Sequence, residues 1–576
     1  MSLIKNTENL ILKAVNELGY ELDNVTLEKC TMKNLGQYQV NFAMGLAKKY
    51  SKNPRDIATE IMNAIKNDFK DVNIAGPGFI NLTFKDEDLI NNAVGDFSNH
   101  IDYEKPKKII VDYGGANAAK ALHVGHMRAA NIGEAIKRLC VLFGNDVIGD
   151  VHLGDIGRQA GMLISQLKLE QPDLPWFDPN FDGEYPKVNL TAADLGRMYP
   201  EASIAAKESE ERMEEVRQIT AEIDKGKNKA YLNLWKQMVN ISSVSIKEVY
   251  KKLNCTFDLW EGEMDALNYV PQVLEILKPY LYESNGALVM DVQKDDDKTE
   301  IPPLMVIKSD GATIYGTRDL GTIYSRMERF NPDEILYVVD QRQGMYFEQV
   351  IRGSYISGLV PPTTKLEFLG FGTMNGSDGK PFKTRDGGVM QLNDLINMIY
   401  VEIEKKIKPE INGEERKQIA EKLAIATLKY SDLLPYRRTD YNFDPVKFSS
   451  LEGKTGPYIL YGNVRMKSLL SKVENKDYKI KLIPNEDVMD VLVKISELSK
   501  VLKRAYDEFA INYITDYLYE LIQAFNKFYN NNNILNEQDE DINIRNNLLN
   551  KKRGVVSNSN MNYINYQGTT NNKKEN

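Results

Sequence analysis

The feature that most constrains this chain is a strand–loop–helix–strand pattern between residues 109 and 148. Residues 109–111 are apolar enough for a buried strand, and the glycine-containing loop 114–117 follows them. A helical pattern begins at Gly125, with apolar side chains spaced alternately three and four residues apart, and residues 144–145 can cap its end. The apolar run 146–148 then predicts a second strand. A β-α-β unit of this kind predicts a parallel, doubly wound sheet.

A pair of histidines lies where this helix is predicted to begin. The sequence His123-Val124-Gly125-His126 holds two of the four histidines of the chain, and His152 follows shortly after. A helix N-terminus attracts phosphate through its free amides and its dipole. Glycine lets a planar base approach the backbone, and imidazoles can donate hydrogen bonds to phosphate oxygens. The motif therefore predicts a site that handles ATP; two histidines that only cap a helix are the alternative.

Length, charge and cysteine content set limits on the kind of protein. A chain of 576 residues is expected to form several domains, at about 100–200 residues each. The net charge of −9 argues against a surface that is basic throughout, although a local basic patch can still bind nucleic acid. Cys30, Cys140 and Cys255 are far apart and odd in number, which predicts neither a disulfide framework nor a metal cluster. With no signal-like or membrane-spanning run near the N-terminus, a reducing, cytoplasmic location without membrane association is expected.

Sequence patterns divide the chain into four segments. Residues 1–104 have the pattern of a small α/β domain, and residues 531–576 are rich in asparagine with little periodicity, which predicts disorder. The helical spacing of apolar residues predicts an all-helical domain at 396–530. The sheet-containing domain is expected at 105–395, with a helical insertion at about 165–235 and further strands at 286–291, 303–308 and 335–340.

Several motifs of this chain resemble those of class I arginyl-tRNA synthetases of the bacterial type. The resemblance is strongest from Val111 to Arg128, and it continues in His152-Leu153-Gly154-Asp155 and in the segments 76–81, 309–319 and 452–458. It covers residues 1 to about 530. It implies an α/β protein with a Rossmann-like class I synthetase catalytic domain, an N-terminal α/β domain that contacts tRNA, and a C-terminal all-α anticodon-binding domain. It also implies a monomeric enzyme that uses ATP, with Mg²⁺ on the nucleotide, to join L-arginine to tRNA(Arg).

The resemblance also implies an arginine pocket. Arginine presents a planar fork of five donors that is always charged, so a selective pocket needs carboxylates and neutral acceptors. Asp319 is expected to bind the guanidinium group, while Asp112 and Asn117 hold the end that carries the α-ammonium and carboxylate groups. A solvated loop residue or a helix cap is the alternative for any one of these positions taken alone. The full set that the resemblance implies is Asp112, Asn117, His126, Tyr315, Asp319 and Gln343.

The second nucleotide element of this chain is a degenerate loop at about 371–388. Class I synthetases usually carry a Lys-Met-Ser-Lys-Ser loop, and here only Lys383-Thr384-Arg385 matches the end of it. In relatives with this degenerate loop, a lysine just before the histidine motif is thought to act on the phosphates instead, which here is Lys120. The resemblance thus implies Lys120, His123 and His126 as catalytic residues, and it adds Gly125, Lys383 and Arg385 as further ATP-binding residues. His152 is expected either to line this site or to make a structural hydrogen bond.

The segment 458–467 mixes tyrosines with cationic side chains in the predicted helical domain. Aromatic side chains can stack on splayed bases and cations can hold phosphates, so Tyr458 and Arg465 are predicted to bind tRNA. A tyrosine in the core of an amphipathic helix is the alternative for Tyr458. Two other functions stay open at this point: a degenerate paralogue that binds tRNA without charging it, and a nucleotidylyltransferase.

Overall fold

A computed structural model of the chain describes residues 1–32, 34–120, 122–224, 226–309, 313–380, 382, 390–471 and 485–532. The chain divides into two compact units. Among the described residues, unit 1 comprises those within 1–105, 142–144 and 450–532, and unit 2 comprises those within 106–141 and 145–449. No helix in the described ranges has an apolar stretch long enough to cross a membrane.

The N-terminal part of unit 1 is an α/β domain. Its strands form an antiparallel sheet in the order β1-β2-β4-β3. The first helix begins after Ser2, whose hydroxyl accepts a hydrogen bond from the amide of Lys5, a common way to satisfy a free amide at a helix start. The elements are α1 (Leu3–Glu17), β1 (Glu28–Lys29), β2 (Tyr38–Val40), α2 (Ala43–Tyr50), α3 (Pro54–Ile65), β3 (Asp71–Ala75), β4 (Phe79–Thr83) and α4 (Asp86–Val94).

Unit 2 alternates strands and helices. Its elements are β5 (Lys108–Asp112), α5 (Val124–Leu142), β6 (Asp146–Leu153), α6 (Arg158–Glu170), α7 (Ala192–Glu208), α8 (Glu210–Asp224), α9 (Lys229–Lys252), β7 (Leu259–Gly262), α10 (Glu263–Ala266), α11 (Val270–Leu277), β8 (Leu281–Ser284), β9 (Ala287–Met290), β10 (Leu304–Ile307), α12 (Tyr315–Phe330), β11 (Glu334–Tyr337), α13 (Gly344–Ile356), β12 (Lys365–Phe368), β13 (Met374–Asn375), α14 (Leu392–Glu404), α15 (Gly413–Leu433), β14 (Tyr441–Asn442) and α16 (Pro445–Phe448).

The centre of unit 2 is a parallel sheet of five strands in the order β12-β11-β5-β6-β7. The predicted α/β fold with a Rossmann-like parallel sheet is thus confirmed. The strands predicted at 286–291 and 303–308 exist as β9 and β10, but they pair with β8 in a separate antiparallel sheet. The turn between β8 and β9 is Asn285-Gly286, and both residues have positive φ, as a two-residue hairpin turn requires.

The helices that follow the degenerate loop pack within unit 2. Helix α14 buries Leu392, Leu395, Ile399 and Ile403 in the same apolar cluster as Met127 of α5. The predicted start of the helical domain, residue 396, falls inside α14, and the chain up to Ser449 groups with the sheet.

The C-terminal part of unit 1 is helical. Its helices pack with the N-terminal α/β domain, because the hydroxyl of Tyr38 in β2 lies 2.8 Å from Oγ of Ser496, and Lys29 forms an ion pair with Glu497 at 2.7 Å. Of the asparagine-rich segment predicted to be disordered, residues 533–576 lie outside the described residues. The elements are α17 (Gly456–Ser471), α18 (Glu486–Ser496), α19 (Leu498–Asp507) and α20 (Asn512–Asn531).

Candidate active site

A cavity of about 420 Å³ lies at the carboxyl ends of β5, β6 and β11. Ligands of open parallel sheets bind in this crevice. His126 is not among the described residues that line the cavity, so its contact with arginine stays a prediction. The other five residues predicted to bind arginine do line it, although they come from three separate segments of the chain: Asp112, Asn117, Tyr315, Asp319 and Gln343.

The backbone after β5 places Asn117 at the edge of the cavity. The amide of Ala118 donates to the carbonyl of Gly154 at 3.0 Å, so this loop runs beside the end of β6. A Cβ atom on Gly154 would lie 2.6 Å from Oδ1 of Asn117, closer than side chains approach one another. Glycine at position 154 is therefore what leaves room for the Asn117 side chain.

A buried arginine holds the acidic end of β5. Nη2 of Arg326 donates to Oδ2 of Asp112 at 2.6 Å and to Oδ2 of Asp150 at 2.5 Å. Burial raises the pKa of Asp150, an effect that the guanidinium group opposes. Asp112 and Asp150 thus share the positive charge of Arg326. The role of Asp112 at the α-ammonium group of arginine stays a prediction.

Two further carboxylates line the cavity. The hydroxyl of Tyr346 donates a hydrogen bond to Oδ2 of Asp319, and Oε2 of Glu263 lies 2.9 Å from Nε of Arg318. Burial raises the pKa of Asp319, and it raises the pKa of Glu263 to about 7. A cation bound between two such carboxylates would stabilise their ionised forms, so this end of the cavity favours a positively charged group.

His152, at the end of β6, lines the same cavity. Its Nε2 lies 3.5 Å from Oγ1 of Thr322, and its buried Nδ1 has no hydrogen-bond partner among the described residues. His152 thus lies at the cavity wall and also within reach of Thr322, and both roles predicted for it stay open.

The rings of the two motif histidines lie against each other at a tilt of 33°, and both imidazoles are neutral at physiological pH. Their ring centroids are 3.8 Å apart. Burial lowers the pKa of His123 and, with His123 and Lys120 nearby, lowers the pKa of His126 to about 3. The amide of Gly125 donates to Nδ1 of His123, and the amide of His123 donates to Nδ1 of His126, both at 3.1 Å. Each imidazole therefore carries its proton on Nε2, as a neutral donor.

Steric contact with His123 explains why position 125 in the motif is a glycine. A Cβ atom on Gly125 would lie 3.0 Å from Cε1 of His123, so a larger residue would push against the folded-back imidazole. The segment after the degenerate loop runs alongside, since Gln391 forms a β-bridge with His123 and the amide of Leu392 donates to the carbonyl of Leu122 at 2.8 Å.

Lys120 lies beside the histidines. Its ammonium group is 4.8 Å from the ring centroid of Tyr199 in α7, and it lowers the pKa of His123. Lys120 also lines a second cavity of about 350 Å³, together with Ser242 and Gln391. The other two predicted phosphate-binding residues, Lys383 and Arg385, lie outside the described residues.

The residues predicted to bind tRNA lie in unit 1. Asn526 of α20 links them, because it accepts a hydrogen bond from Arg465 at 2.8 Å and donates one to the hydroxyl of Tyr458 at 3.0 Å. The guanidinium carbon of Arg465 lies 4.8 Å from the ring centroid of Tyr461 and 4.9 Å from that of Tyr529. Tyr461 is 47% exposed, so this tyrosine–arginine patch on α17 and α20 offers a ring and a cation to solvent.

Comparison with known families covers almost the whole chain. Residues 90–445 match the catalytic domain of class I tRNA synthetases for arginine, residues 5–84 match the arginyl tRNA synthetase N-terminal domain, and residues 459–560 match the DALR anticodon-binding domain. A relative from Alkaliphilus oremlandii named arginine–tRNA ligase is 43% identical over 93% of this chain and 94% of its own. One from Agathobacter rectalis with the same name is 41% identical over 94% of each chain.

The chain belongs to the arginyl-tRNA synthetase family.

Solved structures of this family share the fold. The arginyl-tRNA synthetase of Plasmodium falciparum superposes with a TM-score of 0.80 over 97% of this chain and 98% of its own, at 21% identity. That of Thermus thermophilus superposes with a TM-score of 0.79 over 98% of each chain, at 17% identity. At such low identity these similarities support the fold, and the arginyl-tRNA synthetase assignment itself rests on the sequence matches.

Sequence reasoning missed three residues at the site of this arginyl-tRNA synthetase family member. Glu263, Arg326 and Tyr346 all line the cavity, and none was predicted. Glu263 directly follows β7, so recognition of that strand would have placed a carboxylate at the carboxyl edge of the sheet. Tyr346 lies three residues after Gln343, close enough to share its side of the site, but the sequence carries no signal for its bond to Asp319.

Proposed function

We propose that this chain charges tRNA(Arg) with L-arginine in two steps. An oxygen of the arginine α-carboxylate attacks the α-phosphorus of ATP, and pyrophosphate leaves to give arginyl-adenylate. The terminal adenosine 2′-hydroxyl of the tRNA then attacks the arginyl carbonyl carbon, and AMP leaves. The observation that carries the proposal is the cavity at the carboxyl ends of the parallel strands, where the buried carboxylates of Asp319 and Glu263 favour a bound cation.

In this proposal the arginine side chain enters the end of the cavity that holds Asp319 and Glu263. Two carboxylates can accept several of the five donors of a guanidinium fork. Asn117 and Gln343 line the cavity elsewhere and offer neutral acceptors to the α-ammonium group. Asp112, fixed by Arg326, supplies further negative charge at that end.

The histidine motif is proposed to hold the phosphates. His123 and His126 would offer neutral Nε2–H donors, because each Nδ1 already accepts a backbone hydrogen bond. Lys120 would supply the positive charge that stabilises the α-phosphate as pyrophosphate leaves, with Lys383 and Arg385 as further candidates. By its resemblance to the family, the protein is proposed to take up Mg²⁺ together with the phosphates of ATP.

The patch around Arg465 is proposed to contact tRNA. Tyr461 and Tyr529 flank this guanidinium group, and exposed aromatic rings next to a cation are suited to stacking on single-stranded bases. Tyr458 is half-buried against Tyr519, with ring centroids 5.5 Å apart, so its proposed part is to support the patch through Asn526. By its resemblance to the family, the protein is proposed to act as a monomer in the cytoplasm.

The test is arginine-dependent exchange of pyrophosphate into ATP, with and without tRNA(Arg), followed by charging of that tRNA. The proposal expects exchange and charging with L-arginine. A protein that binds tRNA(Arg) yet shows neither reaction with tRNA present would be a paralogue that does not charge it, and the proposal would be wrong.

Asp319→Asn tests whether arginine binds in the cavity. Breaking a buried charge pair costs about 2–5 kcal/mol, so the KM for arginine should rise steeply in this variant. Asp146→Asn is the matched control. Asp146 is the first residue of β6, at the end of the strand away from the cavity, so this variant should leave the arginine KM unchanged. An unchanged arginine KM in Asp319→Asn would remove Asp319 from the pocket.

A further inference from the structure

One hydrogen bond inside the cavity joins two helices that follow different strands. Asp319 lies in the second turn of α12, and Tyr346 lies in the first turn of α13. The hydroxyl of Tyr346 donates to Oδ2 of Asp319, and both side chains line the cavity. One of the two oxygens of the carboxylate that faces the proposed guanidinium site is therefore already occupied by the protein itself.

The ring of Tyr346 is held by neighbouring aromatic side chains. It lies edge to face against Phe347, with centroids 5.6 Å apart and planes at 82°. Phe347 in turn lies 5.5 Å from the ring of Phe368 in β12 and 5.0 Å from the ring of Tyr337 in β11. The start of α13 is thus packed on two strands of the sheet, and the hydroxyl of Tyr346 has a fixed position.

A fixed carboxylate is what recognition of a guanidinium group needs. The guanidinium fork is planar and rigid, so it forms its best hydrogen bonds only with a carboxylate held in a matching plane. Without the hydroxyl, Asp319 could rotate, and an oxygen in a buried site would lose its donor. Besides Tyr346, the charged or titratable groups around Asp319 include His152, Asp112, Arg326 and Glu263, and Arg318 pairs with Glu263.

We propose that Tyr346 is a positioning residue for arginine recognition, and that its hydroxyl holds Asp319 in the orientation that receives the guanidinium group. This inference rests on the proposed function. Tyr346 acts through Asp319, so its contribution belongs to the binding of arginine and leaves the phosphate chemistry untouched.

The decisive variant is Tyr346→Phe, which removes one oxygen atom and keeps the packed ring. Hydrogen bonds to charged groups are worth enough that the KM for arginine should rise about ten-fold or more. The kcat of the exchange reaction and the KM for ATP should stay at wild-type values, as expected when an interaction contributes equally to ground-state and transition-state binding. A general disturbance of the fold would instead change all three quantities.

The pH profile provides a second readout. The hydrogen bond from Tyr346 favours the ionised form of Asp319, against the burial that raises its pKa. In Tyr346→Phe the pKa of Asp319 should rise further, so the arginine KM should begin to climb at a higher pH as the pH is lowered. A wild-type profile in this variant would contradict the role.

Tyr355→Phe is the matched control. Tyr355 lies in the same helix, and its hydroxyl donates to the carbonyl of Thr364 at 2.9 Å, but it does not line the cavity. This control should keep the wild-type arginine KM. Combining Tyr346→Phe with Asp319→Asn should add little to the effect of Asp319→Asn alone, because the two residues act as one unit.

The outcomes separate this inference from the proposed function. No arginine-dependent exchange by the wild-type protein would overturn both. If the wild type is active and Tyr346→Phe has an unaltered arginine KM, only the role of Tyr346 is overturned. The same holds if Tyr346→Phe lowers kcat and raises the KM for ATP as strongly as it raises the KM for arginine. Full additivity of Tyr346→Phe and Asp319→Asn would also overturn it, because Tyr346 would then act without Asp319.

Discussion

Burial acts in opposite directions on the acids and the imidazoles of this site. It raises the pKa of Asp319, and it raises the pKa of Glu263 even though the guanidinium group of Arg318 opposes the effect there. It lowers the pKa of His123 and His126, which therefore stay neutral. Burial thus favours a bound cation beside the two carboxylates and leaves the two imidazoles as uncharged donors.

Arginine binding should depend on pH through two buried carboxylates, Asp319 and Glu263, and the second of these is expected to titrate near neutral pH. The near-neutral part of the profile is therefore assigned to Glu263. Its pKa is raised to about 7, so it takes up a proton as the pH falls through that value, while arginine keeps its charge. The attraction is present above pH 7 and lost below it, so the arginine KM should be low and flat near pH 8 and rise towards pH 6. Measuring that KM across the range, with exchange as the assay, tests this directly.

Glu263→Gln should show a high arginine KM at pH 8 and a flatter profile down to pH 6. The control is Glu261→Gln, two residues earlier, because Glu261 pairs with Arg329 and does not line the cavity. It should keep the wild-type profile. If Glu263→Gln retained the full rise between pH 8 and pH 6, the titrating group would be another residue.

Lys120 and Tyr199 should behave as a pair. Losing a charge-stabilising contact typically lowers the rate about 10²–10³-fold, and Lys120→Ala should fall in that range in the exchange assay at saturating substrates. Tyr199→Leu removes the ring under the ammonium group, worth about 0.5–1 kcal/mol, and should lower the rate a few-fold. Tyr199→Phe keeps a ring and should retain most of the activity.

The cycle of Lys120 and Tyr199 variants decides whether the ring acts through the lysine. In the Lys120→Ala background, Tyr199→Leu should have no further effect, because no ammonium group remains to be held. An undiminished effect there would give Tyr199 a separate structural role. Near-normal exchange by Lys120→Ala would move the phosphate role to Lys383 or Arg385.

At the scale of secondary structure, the central strands were predictable and the edge strands were not. β5 is buried along most of its length and has the apolar run that identified it. β7 and β12 lie at the two edges of the sheet, where Glu261, Lys365 and Glu367 are tolerated because these strands are partly exposed. Because of these charges neither strand is an apolar run, so the sequence patterns did not predict them. Glu263 at the end of β7 was therefore not predicted either.

Sheet membership also escaped the sequence patterns. The strands β9 and β10 have the apolar character of core strands, but an apolar run alone does not say which neighbour it pairs with. The Asn285-Gly286 turn was the local signal, since both of its residues adopt positive φ and join β8 to β9 as a hairpin. A strand committed to a hairpin is antiparallel to its partner, which separates it from the parallel sheet.

The motif residues were more predictable than their surroundings. Asp112, Asn117, Tyr315, Asp319 and Gln343 were placed by resemblance, and the structure brings all five around one cavity. Their hydrogen-bond partners could not be predicted in this way, because Arg326 and Tyr346 meet Asp112 and Asp319 only through tertiary packing. Sequence spacing fixes neighbours along one element, whereas these contacts join different elements.

At the scale of the whole molecule, unit 1 joins the two ends of the described chain. Tyr38 in the N-terminal sheet is 2% exposed, and its hydroxyl lies 2.8 Å from Oγ of Ser496 in α18. Nζ of Lys500 donates to the carbonyl of Leu27 at 2.7 Å. No local pattern could predict contacts between residues more than 450 positions apart, and they imply that the N-terminal domain and the C-terminal helices unfold together.

Calorimetry of the full chain can test this coupling. If the two units unfold separately, two transitions are expected. L-arginine with ATP should then raise only the transition temperature of unit 2, which holds the cavity. Tyr38→Ala should lower the free energy of unfolding by about 3–5 kcal/mol, as large-to-small core changes do. It should lower only the transition temperature of unit 1. Tyr38→Phe should cost about 1 kcal/mol, because Ser496 keeps its bond to the carbonyl of Val493. A third transition that moves alone in Tyr38→Ala would show that the N-terminal domain unfolds independently of the C-terminal helices.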